Sequence, residues 1–133
     1  MIERELEQLI RSKIHKGKAI IVMGPRQTGK TTLILKILST TGDFLLLNCD
    51  DPVVREQLDA ANTESLRQLL GKYHTVFIDE AQRITNTGLT LKLITDTFKT
   101  IQLLVSGSSS FELADRINEP LTGRKWEYLL YPV

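Results

Sequence analysis

Hydrophobic positions along the chain follow two alternating rhythms. Ile2, Leu6, Leu9, Ile10 and Ile14 recur at helical spacing and predict an opening helix over residues 2 to 15 with one apolar face. Ala19-Ile20-Ile21-Val22-Met23 is instead a short unbroken run, rich in β-branched residues and bounded by Gly17 and Gly24. That is the pattern of a central parallel strand buried on both faces, here over residues 18 to 23. Leu33, Ile34, Ile37 and Leu38 return to helical spacing and predict a helix over 30 to 40. After a stop signal at Gly42, Phe44-Leu45-Leu46-Leu47-Asn48 reads as a second strand. Two short helices follow, around 52 to 58 and 63 to 71. Asp51 and Pro52 supply the cap and first-turn proline of the former, and Thr63 is the expected cap of the latter. Val76-Phe77-Ile78 forms a third strand, Gly88 to Lys99 a helix, and Ile101 to Ser106 a fourth strand. A short helix near 110 to 117 and a strand near 125 to 130 complete the series. Strands alternating with helices, without repeats, low-complexity segments or a linker, predict an α/β fold on a parallel sheet.

Composition narrows the picture. With 133 residues and 41% hydrophobic content, the chain can bury one core of ordinary size, so a single domain is expected. The formal net charge of +1 gives no electrostatic case for a large nucleic-acid or membrane footprint. No run approaches the length of a membrane span, and Met1-Ile2-Glu3-Arg4-Glu5-Leu6-Glu7 is too charged for a signal peptide, so a cytoplasmic protein is expected. Cys49 is the only cysteine, which rules out an internal disulfide or cysteine metal cluster and points to a buried or incidental thiol. His15 and His74 lack any metal-ligand spacing.

Chemistry enters between the first strand and the helix after it. Gly24-Pro25-Arg26-Gln27-Thr28-Gly29-Lys30-Thr31 is a complete G-x-x-x-x-G-K-T phosphate-binding loop, or Walker A motif, in the strand–loop–helix context that it needs. The glycines let the backbone curl so that consecutive N–H groups point at a β-phosphate, and the helix beginning near Lys30 aims its positive end at the same place. Lys30 would reach the β- and γ-phosphates, and the Thr31 hydroxyl suits Mg²⁺. Arg26 either touches the γ-phosphate or faces solvent, whereas Thr32, the residue after the loop, reads better as helix packing. The expected ligands are a nucleoside triphosphate, ATP, and Mg²⁺.

A second motif stands at the end of the third strand. Thr75-Val76-Phe77-Ile78-Asp79-Glu80 is a hydrophobic strand that delivers two adjacent acids, a Walker B pattern, and in a parallel sheet that end faces the ligand crevice. Asp79 would hold Mg²⁺ opposite Thr31. Glu80 is placed to orient and deprotonate a water for in-line attack on the γ-phosphate, which favours hydrolysis over transfer to a metabolite. The fourth strand runs into Ser106-Gly107-Ser108-Ser109-Ser110 and should lie beside the first, between the phosphate loop and the third strand. Ser108, ahead of Ser106 and Ser109, is the candidate to sense the γ-phosphate; helix capping is the competing use of these serines.

Together these segments, with Asn48-Cys49-Asp50-Asp51-Pro52, Ala81-Gln82-Arg83 and Leu121-Thr122-Gly123-Arg124, resemble the AAA-type ATPase core of the prokaryotic "AAA domain plus DUF4143" proteins. The resemblance implies a five-stranded parallel sheet of order 5-1-4-3-2, ATP with Mg²⁺, and a homo-oligomer in which Arg124 is presented to a neighbouring subunit's ATP. From the residues alone, a solvated turn arginine is the alternative for Arg124. The family pattern continues past Leu130-Tyr131-Pro132 into a helical lid, whereas this sequence stops at Val133. The expectation is therefore one ATPase core over 1–133 without lid or following domain, with slowed hydrolysis. Two other readings stay open. Asp79-Glu80-Ala81-Gln82 also matches the acidic motif of some helicases, where the glutamine couples ATP to nucleic acid, although no basic stripe with interleaved aromatics accompanies it. The chain could also be a non-hydrolysing, nucleotide-gated interaction module, against which Glu80 is the main argument.

Overall fold

The unbroken apolar run becomes β1 (Ala19–Gly24), and all six of its residues are buried. Around it, the computed structural model describes residues 3–25, 29–108, 117 and 120–129. In chain order the other elements are α1 (Glu3–Lys13), α2 (Lys30–Leu38), β2 (Leu45–Asn48), α3 (Pro52–Asp59), α4 (Thr63–Leu70) and β3 (Thr75–Asp79). A 3₁₀ turn (Ala81–Arg83), α5 (Thr87–Thr97), β4 (Gln102–Ser108) and β5 (Lys125–Leu129) follow. The strands form one five-stranded sheet in the order β2-β3-β4-β1-β5, with every pairing parallel. This is the α/β fold and the 5-1-4-3-2 order that the resemblance implied.

Period-two alternation sets the layering. Ile20 and Val22 join Phe77 and Leu104 on one face of the sheet, where Leu6 and Ile10 of α1 and Leu33, Ile34, Ile37 and Leu38 of α2 cover them. Ala19, Ile21 and Met23 face the other way, onto Leu58 of α3, Leu66 and Leu70 of α4, and Leu91 and Ile94 of α5. Each such side chain contributes about 1.5–3 kcal/mol by leaving water. The sheet thus has helices on both faces, which is why its central strands carry unbroken apolar runs, Ile20 to Met23, Val76 to Ile78 and Leu103 to Val105, rather than alternating.

Several local expectations are revised. Leu9 is 36% exposed, because Leu6 and Ile10, one turn apart, centre the buried stripe of α1 and leave Leu9 at its margin. Asp51 does cap α3, accepting from the Val53 N–H at 2.9 Å. The cap of α4, however, is Asn62 rather than Thr63. Its Oδ1 accepts from the Ser65 N–H at 2.8 Å while Ser65 Oγ accepts from the Asn62 N–H at 2.9 Å, a reciprocal capping box. α5 begins at Thr87 and ends at Thr97 instead of spanning Gly88 to Lys99. β4 extends two residues past Ser106, so that Ser106 and Ser108 lie on the strand itself. Of the helix expected near 110 to 117, only Ile117 lies within the described residues.

Candidate nucleotide-binding site

Because every strand is parallel, their carboxyl ends share one edge of the sheet, where open α/β sheets hold ligands. β1 ends at Gly24, and the register pairs Gly24 with Ser108 and Ile78 with Val105. The ends of β1, β3 and β4 therefore stand side by side. Gly29, at φ +84°, precedes α2 in a left-handed conformation that a Cβ would strain. Among the described residues no side chain caps α2, so its first N–H groups remain available to an anion. Lys30 is 4% exposed. Its Nζ donates to the Gly24 carbonyl at 2.8 Å and the Pro25 carbonyl at 2.9 Å, which holds the ammonium at the end of β1.

One residue on, the Thr31 hydroxyl donates to the Asp79 carboxylate, 3.0 Å from Oδ1 and 3.1 Å from Oδ2. The two residues are 48 positions apart in the chain. Ser106, fully buried on β4, donates to Asp79 Oδ1 from the other side. The same Ser106 Oγ accepts from the Glu80 N–H at 3.3 Å. Glu80 takes φ 58°, ψ 46°, a left-handed conformation that turns the chain sharply off β3. Its carboxylate accepts from Gln82 Nε2 at 2.6 Å, and Gln82 Oε1 accepts from the Ser108 N–H at 3.2 Å. The edge thus carries a buried ammonium, a hydroxyl–carboxylate pair and a second carboxylate, with Ser106 linking Asp79 to the Glu80 backbone and Gln82 linking the Glu80 carboxylate to β4.

The oxygen donors suit a hard divalent cation. Mg²⁺ is ordinarily held by one or two protein oxygens together with phosphate oxygens and water, which Thr31 and Asp79 can provide. Among the described residues no three His, Cys, Asp or Glu side chains gather as a cage for a softer metal. Burial, reinforced by the nearby Asp79 charge, pushes the Cys49 thiol up to about 12, so it stays protonated and unreactive in the fold.

Not every expected site residue joins this edge. Arg26, Gln27 and Thr28 lie outside the described residues. Thr32 is exposed on α2, so the helix-packing role falls instead to Leu33 and Ile34. Arg124 lies at the opposite end of the sheet, just before β5, where its carbonyl accepts from the Ala19 N–H at 2.8 Å. Its Nε donates to Asp96 Oδ1 at 2.7 Å, and the guanidinium holds the Asp96 carboxyl below its usual range. A cleft of about 560 Å³ opens beside it, lined by Lys18, Asp96, Lys99 and Gln102 among others, remote from the phosphate loop.

Two residues that the site uses were underweighted by sequence reasoning. Ser106, ranked behind Ser108, is the serine whose hydroxyl reaches Asp79; a hydroxyl interrupting Leu103-Leu104-Val105 was the available signal, since a buried polar group needs a partner. Gln82 stood out only as a helicase-like feature. Its contact with β4 depends on the turn after β3, which the local sequence does not reveal.

Comparison with known proteins places this geometry. A structure of Drosophila ORC bound to DNA superposes with a TM-score of 0.69 at 13% identity, covering 97% of this chain and 89% of that one. The crystal structure of a DNA replication initiation factor gives 0.62 at 17% identity, covering 96% and 44%. At such identities the likeness speaks for the fold alone. Two curated relatives, uncharacterised proteins of Mycobacterium bovis and Mycobacterium tuberculosis, are each 29% identical over 122 residues, or 91% of this chain and 26% of theirs. The chain therefore spans about a quarter of their length. Among the described residues, no helix is long and apolar enough to cross a membrane. Residues 16–133 match the profile of a family described as an AAA domain; the match takes in the whole candidate site and does not speak to the DUF4143 association. The chain belongs to that family of AAA-type, nucleotide-binding P-loop domains.

Proposed function

We propose that this chain is a Mg²⁺-dependent ATPase core that acts by in-line attack of water on the γ-phosphate of ATP. The observation that carries the reading is the contact of Thr31 with Asp79 at the mouth of the phosphate loop, with Glu80 the next residue. Lys30, whose ammonium donates to the Gly24 and Pro25 carbonyls, would exchange those carbonyls for β- and γ-phosphate oxygens. Thr31 and Asp79 would hold Mg²⁺, which neutralises charge on the phosphate oxygens when bound. Glu80 accepts the proton of the attacking water, oriented by its own hydrogen bond to Gln82. Ser108, at the tip of β4, would respond to the γ-phosphate. Arg26, Gln27 and Thr28 would complete the loop around the triphosphate, with Thr32 following on α2.

Arg124 stands at the far end of the sheet, so it can reach only the ATP of a neighbouring copy. Acting in trans requires a homo-oligomer and release of the Asp96 ion pair. An arginine delivered this way is worth ~10³ to 10⁵ in rate. Of the two similar structures, one is bound to DNA and the other is a DNA replication initiation factor, but a chain of net charge +1 gives such a role no independent support. A cytoplasmic setting fits the reading.

The test is phosphate release from Mg-ATP per chain as protein concentration rises, run beside Glu80→Gln, with ATP binding to both measured separately. The expected result is a specific rate that climbs with concentration and falls by about 100-fold or more in the variant while ATP still binds. If both proteins bind ATP and neither releases phosphate, hydrolysis is wrong and the chain is a nucleotide-gated binding module.

A further inference from the structure

We propose that Gln82 is a positioning residue that ties the Glu80 carboxylate to the tip of β4, so that the water-activating group and the strand end beside the γ-phosphate site move as one unit. This rests on the reading of Glu80 as the group that activates water. The carboxamide has two different ends and uses both. Nε2 donates to Glu80 Oε2 at 2.6 Å, and Oε1 accepts from the Ser108 N–H at 3.2 Å. A carboxylate can only accept and a backbone N–H can only donate, so one orientation of the amide satisfies both and the flipped one satisfies neither. The side chain that meets this requirement is Gln. Glu keeps the acceptor for Ser108 but offers no donor to Glu80 and adds a like charge, Asn is shorter by a methylene, and Ala loses both ends.

Glu80 needs such a tether because its own backbone is unusual. The left-handed conformation at φ 58° takes Glu80 out of the β3 ladder, so strand pairing does not set where its side chain lies. Ser106 secures the backbone side by accepting from the Glu80 N–H at 3.3 Å, and Gln82 secures the carboxylate. Both restraints originate at β4, one directly and one through Ser108. Only Oε2 is engaged by Gln82, which leaves Oε1 for water. A shift at Ser108, such as phosphate drawing on the β4 tip, is therefore transmitted to the Glu80 carboxylate through Gln82.

Amide hydrogen exchange at Ser108 in the nucleotide-free protein tests the tether without any activity. Gln82→Ala should quicken that exchange by about fivefold, the loss of one ordinary hydrogen bond, with Leu104 deeper in β4 unchanged. Glu80→Ala should quicken it as well, although Glu80 does not touch Ser108, whereas Glu80→Gln, which can still accept from Gln82, should leave it near the wild-type rate. A residue that merely packed the turn would show no response to Glu80→Ala, and that result, or unchanged exchange in Gln82→Ala, overturns the proposal. In Mg-ATP turnover, Gln82→Ala and Gln82→Glu should each lower kcat by about tenfold with KM and ATP affinity within about twofold of wild type. Added to Glu80→Gln, Gln82→Ala should cost nothing further. A kcat that holds or rises in the Gln82 variants, or losses that multiply with Glu80→Gln, overturns the positioning role while the hydrolysis reading stands. If the wild-type chain binds ATP and releases no phosphate, that reading fails by itself and the exchange series still decides the tether.

Discussion

Asp79 and Glu80 are neighbours in sequence with opposite environments. Asp79 is 6% exposed, clasped between the hydroxyls of Thr31 and Ser106, whereas Glu80 projects from a left-handed turn and is steered by Gln82. Adjacent residues of a strand point to opposite sides, so two acids in succession cannot both face the crevice unless the backbone breaks between them. The positive φ at Glu80 is that break, at a cost of order 1 kcal/mol for a non-glycine residue. Ser106 helps to hold it. Ser106→Ala removes the acceptor of the Glu80 N–H and one donor to Asp79, so the variant should be less stable by about 1–3 kcal/mol, seen as a lower midpoint of urea denaturation with unchanged slope. A midpoint equal to that of wild type would mean that neither group depends on the hydroxyl.

At the scale of elements, the helix after Ala61 shows how a one-residue shift in a cap becomes testable. Asn62 takes φ −134°, ψ 175°, the extended conformation of an N-cap, and exchanges hydrogen bonds with Ser65, while Thr63 is already inside α4. Asn62→Ala should therefore cost about 1 kcal/mol in denaturant unfolding while Thr63→Ala leaves the midpoint nearly unmoved. The reverse ranking would restore Thr63 as the cap. β4 makes a complementary point. Serine and glycine have weak strand preference, so a propensity reading stops at Ser106. The strand continues because Ser106, Gly107 and Ser108 pair in register with Val22, Met23 and Gly24. Ladder hydrogen bonding to a central strand outweighs local preference, and it carries two serines to the ligand edge.

Across the whole molecule, the phosphate loop and Arg124 occupy opposite ends of a parallel sheet. Arg124 is engaged with Asp96, and both side chains are more than a third exposed, at 39% and 38%, so the pair is screened by solvent and can open. The guanidinium lowers the Asp96 carboxyl in the folded state. Its contribution is therefore present at pH above the unfolded value and is lost as pH falls through the lower folded value. In an NMR titration of the carboxyl, Arg124→Ala should move the Asp96 midpoint upward, towards the ordinary carboxylate range; an unmoved midpoint would mean that the pair does not form in solution. Much of this architecture was legible in one dimension. The unbroken run before Gly24, the loop from Gly24 to Thr31, the helical spacing of Leu33 to Leu38 and the acids closing β3 each declare a local structure through backbone geometry and side-chain periodicity. Those features by themselves determined the α/β class, the phosphate loop and the pairing of Asp79 with Glu80 at a strand end. Only the tertiary structure decided that Ser106 rather than Ser108 meets Asp79, that Gln82 bridges Glu80 to β4, and that Arg124 is tied to Asp96 far from the loop. These contacts join residues 26 to 28 positions apart, and each depends on register between strands and on how a turn redirects a side chain. Register is settled by burying both faces of the sheet at once, a condition on the whole molecule that no local window contains.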